Sequence, residues 1–97
     1  MVVVLLAVTA GGAYLGAAVA ARHRAQAAAD LAALAAAARL PTGAESACGQ
    51  GSALARAMRA EVTDCVVDAL DVVLTVEVRV AGGRWGSARA LARAGPV

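Results

Sequence analysis

Residues 1–21 (MVVVLLAVTAGGAYLGAAVAA) pass without one charge and run straight into RHRAQAAADLAALAAAARL, which is charged and amphipathic. No Pro stands at the join. An apolar segment of membrane length that continues into an amphipathic one predicts a single long helix. Its first half would sit in lipid, and its second half would pack on a small domain. Val2–Ala21 supplies 20 apolar or small residues, about 30 Å of helix, which matches a bilayer core. Gly11 and Gly12 would weaken this helix in water but are tolerated in membrane helices. Gly12 and Gly16 form a GxxxG pair that Ala20 extends. Such a row of small residues lets another helix approach closely, although Ala/Gly-rich composition alone produces the same row.

Arg22–Leu40 continues the helix. Ala and Leu are the strongest helix formers. Ala27, Leu31, Leu34, Ala35 and Ala38 recur at helical spacing and predict the stripe that faces the domain. Pro41 and Gly43 end the helix. The chain thus divides into a transmembrane helix over 1–21, its amphipathic continuation over 22–40, and a small head over 41–97.

Within the head, Pro41–Gly51 is rich in Gly, Ser and Thr and reads as a loop holding Cys48. Ser52–Val62 reads as a helix with Ser52 as its N-cap and Leu54, Met58 and Val62 on one face. Thr63–Val67 reads as a short strand with Cys65, and Asp68–Asp71 as a turn. Val72–Val80 is the clearest strand. Val72, Leu74, Val76, Val78 and Val80 point one way; Thr75, Glu77 and Arg79 point the other. Ala81-Gly82-Gly83-Arg84 is a hairpin signal, and Trp85–Ala94 gives a third strand with Ala88, Ala90 and Ala92 alternating. The expected class is α+β: a long helix, a short helix and a three-stranded antiparallel sheet, with the helices covering the sheet's apolar face.

A head this small is marginal without a staple. Cys48 and Cys65 are the only two cysteines, and a bond between them would stabilise the head by roughly 3 kcal/mol in the chain-entropy model. The alternative is a pair of free thiols in a reducing compartment; the membrane segment favours export and the bond. Charge bears on partners. The net charge is +2, carried by Arg22, Arg24 and Arg39 against Asp30, while the head is balanced. A neutral head with scattered Arg and almost no aromatics argues against nucleic-acid binding.

The order of these features resembles a known family. RHRAQAAADLAALAAA after an apolar helix, a Cys about ten residues on, a second Cys before a V-x-V-x-V strand, and a terminal ARAGP are similar to the helicase/secretion-neighbourhood TadE-like proteins. These belong with the TadE/TadG-like minor pseudopilins of tight-adherence (Flp-type) pilus systems. The most specific stretch is Arg22–Leu34. The resemblance implies a pilin-like, membrane-anchored minor subunit of a pilus or secretion apparatus. Its head would face outward, and its N-terminal helix would contact lipid and other subunits. Prepilin-like members carry a short leader with a Gly-containing processing site ahead of the apolar helix; none is assigned in this chain.

Catalytic and cofactor chemistry is not indicated. His23 sits between two arginines and reads as part of an interfacial basic cluster. With Cys48 and Cys65 it matches no zinc-finger spacing. Asp64, Asp68 and Asp71 lack the Gly and Glu of a calcium loop and read as solvated turn residues. No Ser has a His to activate it, and Gly82-Gly83 has no phosphate-binding context. The expectation is therefore a non-enzyme with no cofactor, no metal and no small-molecule substrate.

Orientation is contested within the sequence. Arg22 and Arg24 follow the apolar helix, and basic flanks favour the cytoplasm. The paired cysteines and the family resemblance favour an extracytoplasmic head, which is the reading adopted. Two alternatives remain open. One is a single-pass scaffolding or regulatory protein with a cytoplasmic head. The other is a small secreted domain cleaved after Ala18-Val19-Ala20, a small-x-small pattern.

Overall fold

One helix dominates the molecule. The computed structural model describes residues 1–80 and 86–96. Helix α1 runs unbroken over Val2–Ala38, and the described molecule measures 62 × 22 × 17 Å. Helix-favouring Ala and Leu carry the helix through Gly11, Gly12 and Gly16 without a break. The stop is local. The Arg39 N–H bonds back to Ala36 and Ala37 carbonyls, Pro41 ends the α-helical run, and a 3-10 turn spans Leu40–Thr42. The Thr42 hydroxyl donates to the Arg39 carbonyl at 2.6 Å. Gly43 has φ 116°, a conformation that side chains disfavour, and from it the chain enters the second helix.

Helix α2 is Ala44–Ala57. This corrects the expected loop over Pro41–Gly51 and the expected helix over Ser52–Val62. Cys48 lies on a helix, Ser52 is an interior residue, and Gly43 is the N-cap. Met58 falls just past the helix end and Val62 falls in the next strand. The reason is tertiary. Gly49 and Gly51 read as breakers, but Gly51 is buried at a close helix–helix approach. A β-carbon placed on it would lie 3.2 Å from the Ala32 carbonyl oxygen, 3.3 Å from Ala36 Cβ and 3.0 Å from Leu74 Cδ1. Packing there outweighs the propensity cost of Gly.

Three antiparallel strands complete the head: β1 Glu61–Asp68, β2 Asp71–Arg79 and β3 Ser87–Ala94, in the order β1-β2-β3. The first strand is longer than the expected Thr63–Val67 and carries an irregularity between Val62 and Asp64. The Asp68–Asp71 turn is as expected, with Asp68 paired to Asp71. Ala69 there has φ 56°. The expected hairpin at Ala81–Arg84 and the Trp85 start of the third strand lie outside the described residues.

The inner face of β2 is Val72, Leu74, Val76 and Val78, continued by Val80 just past the strand's end, all buried, as the alternation predicts; Ala90, Ala92 and Ala94 of β3 join them. This face packs on α1, and α2 lies beside α1 against β1. On the opposite face, Glu77 faces Arg89 in register and bonds to it at 3.3 Å.

The α1 stripe differs from the expected one. The buried residues are Ala21, Ala25, Ala28, Ala29, Ala32, Ala33 and Ala36. Leu31 and Leu34 point outward at 47% and 61% exposure; Ala27 and Ala38 are exposed and Ala35 is half-buried. Both the sheet and α2 press on this helix, so its inner face is built from the smallest apolar residue. The bulk that fills the core comes from the valines and Leu74 of the sheet.

Candidate functional site

The surface that could serve a partner is α1 itself. Its N-terminal portion is long and apolar enough to cross a membrane, and Val2–Leu6, Val8, Leu15 and Val19 are exposed. On this portion Gly12, Gly16 and Ala20 share a face by i, i+4 spacing. A β-carbon on Gly12 or Gly16 would meet nothing within 4 Å, and Ala20 is exposed. The small-residue row is therefore not used by the chain's own head. Farther along, Leu31 and Leu34 give the head-level half of α1 a second apolar face, opposite the alanines. Sequence reasoning missed this face because Ala and Leu both read as apolar. The only signal was size: helix faces that pack closely favour small residues.

The head is held by a disulfide. Cys48 on α2 and Cys65 on β1 are bonded, with Cα atoms 6.0 Å apart, inside the normal range. The bond ties α2 to the edge strand rather than tying a loop to it.

The charged groups form structural pairs. Arg93 on β3 bonds Asp71 at 2.7 Å and Asp68 at 3.2 Å, so two of the three aspartates expected to be solvated engage a guanidinium. The hydrogen bond that Arg93 donates to Asp71, followed by the Asp71 charge, pushes the Arg93 pKa further up. Asp64 is exposed on β1, and His23, Arg22 and Arg24 are exposed on α1. An open apolar depression of about 570 Å³ lies at the far end of the head, lined by Ala37, Leu40, Pro41, Leu70, Gly95 and Pro96. No titratable group lines it among the described residues.

Comparison with known proteins agrees with this layout. Residues 1–39 match the family described as "Tad: Putative Flp pilus-assembly TadE/G-like", which is the α1 segment. A protein of Mycobacterium tuberculosis (strain ATCC 25618 / H37Rv) named "Apoptosis inhibitor Rv3654c" is 66% identical over 53 residues. That match covers 55% of this chain and 63% of the relative's own length. No solved structure matches the chain. Over residues 1–39 the chain is therefore similar to the TadE/G-like proteins of the Flp pilus-assembly family, and its match spans less than two thirds of the relative's length.

Proposed function

We propose that the chain is a membrane-anchored, minor pseudopilin-like structural subunit of a tight-adherence (Flp-type) pilus or a related secretion apparatus. The observation that carries this reading is the two-faced helix α1. One face, all alanine, is consumed by the head. The other keeps Leu31 and Leu34 outward, with the Gly12–Gly16–Ala20 row open farther down. A helix that completes its own head and still offers an apolar face suits a subunit that assembles side by side with others. Val2–Ala21 is the membrane span, the head is extracytoplasmic, and the role is structural rather than enzymatic. The Cys48–Cys65 bond supports the outward head, because disulfides persist in oxidising compartments.

A second reading is favoured by Arg22 and Arg24, which follow the span: a single-pass scaffolding protein with a cytoplasmic head. The test is the thiol state in protein isolated from its native host under alkylating conditions. The pseudopilin reading expects no alkylation without reductant, and membrane retention through carbonate washing. Free cysteines would overturn the outward orientation.

A further inference from the structure

The sheet has two open edges. Among the described residues, β1 and β3 each pair with β2 alone. An unpaired edge presents a row of backbone N–H and C=O groups that another strand can extend. The outer faces of the two edge strands carry opposite patterns. On β1, past its irregularity, the exposed residues are Asp64, Val66 and Asp68; on β3 the corresponding set is Arg89, Leu91 and Arg93. Each set reads charge, apolar, charge at a spacing of two, which puts its three side chains on one face. Val66 is 48% exposed and Leu91 59%. The inward residues of β1, Val62, Cys65 and Val67, are only half-buried, so this edge is incompletely covered.

Laid side by side, the edges match position for position: Arg89 to Asp64, Leu91 to Val66, Arg93 to Asp68. Opposite charges across a strand pair stabilise it, and like charges destabilise it. Joining β1 to β1 opposes Asp to Asp, and joining β3 to β3 opposes Arg to Arg. The complementary contact is therefore β3 of one copy with β1 of the next. Both strands are antiparallel to β2 and so run the same way. Copies standing the same way up on one membrane present them to each other as a parallel pair. The charges are available. Asp64 is exposed and joins no ion pair among the described residues. Arg93 donates through Nε and Nη2 to Asp71 and Asp68, which leaves further N–H groups of a five-donor guanidinium. The β3 edge is also continuous with the outward face of α1. Asp30 and Leu34 share an open groove of about 340 Å³ with Ala92, Arg93, Ala94 and Gly95.

We infer that the chain assembles with copies of itself head to tail, residues 89–93 on the β3 edge of one copy adding to residues 64–68 on the β1 edge of the next. This rests on the membrane-anchored subunit reading above. The contact joins two different surfaces, so it propagates into a row and does not close at a symmetric dimer. The same neighbour covers the groove beside Leu34.

The test is oxidative crosslinking of the full chain, with Cys48–Cys65 intact, in phosphatidylcholine–phosphatidylglycerol vesicles. One chain carries Leu91→Cys and a second, of different tag mass, carries Val66→Cys. Adjacent strands lie about 4.8 Å apart, which a disulfide can span. Within one chain the two positions are separated by β2 and cannot be bridged. The mixture should give a dimer containing one chain of each mass, and either variant alone should give none. A chain carrying both substitutions should give trimers and higher multiples. Asp64→Arg on the Val66→Cys chain should lower the mixed dimer about fivefold, and Arg89→Glu on the Leu91→Cys chain should restore it. No mixed dimer overturns the inference. So do equal dimers from either single variant, which mean that like edges meet, and a mixed dimer indifferent to Asp64→Arg, which means random collision. Failure of the protein to float with the vesicles overturns the anchor reading, and the inference with it.

Discussion

A β-carbon on Gly51 would stand 3.2 Å from the carbonyl oxygen of Ala32. That approach sets how closely α2 lies on α1, and it separates two glycines that look alike in the sequence. Gly49, two residues earlier on α2, has nothing within 4 Å of the same position. Gly49→Ala should therefore stabilise the head by about 0.5–1 kcal/mol through helix propensity. Gly51→Ala should gain the same propensity yet lose about 1 kcal/mol net, because overpacking costs about 1–3 kcal/mol. Chemical denaturation of both variants checks the opposite signs.

The leucines of α1 offer a second contrast. Leu34→Ala removes an exposed side chain and should change head stability by less than about 0.5 kcal/mol. Leu74→Ala empties the fully buried centre of the sheet face and should cost about 2–5 kcal/mol. Equal losses in thermal or denaturant unfolding would mean that Leu34 packs inward after all.

The disulfide closes a sequence separation of 17. Replacing both cysteines with serine should lower head stability by roughly 3 kcal/mol. Unfolding of the Cys48→Ser, Cys65→Ser variant should match that of the reduced parent. Unchanged stability would remove the bond from the account of how so small a head holds together.

The β1–β2 turn holds Ala69 at positive φ with no such value at Leu70. This is the φ signature of a II′ turn, whose first loop position favours Gly. Ala69→Gly should raise stability by about 1 kcal/mol by relieving the left-handed strain of a side-chain-bearing residue. A loss in the unfolding midpoint would contradict that reading.

Particular elements show where the sequence was legible. The Val72–Val80 alternation announced β2, because a period of two with valine on one side has one physical solution. The Met1–Ala21 run announced the apolar helix for the same reason. Helix α2 was displaced because Gly49 and Gly51 carry a local breaker signal, and only the neighbouring Ala32, Ala36 and Leu74 reveal why one of them belongs in a helix. The α1 stripe was misread because Ala, at 0–5% exposure along this face, and Leu are both apolar. What distinguishes them here is volume against two packed neighbours, which a pattern of polarity does not encode.

The most direct test of the central claim is site-specific photo-crosslinking in intact cells of the native host. A photoreactive residue replaces Leu31 or Leu34 on the outward face of α1, with Ala29 on the inward face as the control. The account predicts that the outward positions give adducts which mass spectrometry identifies as pilin-like subunits of the same apparatus, and that Ala29 crosslinks only within its own chain. An outward face that yields no such adducts, in cells that are assembling the pilus, would contradict it.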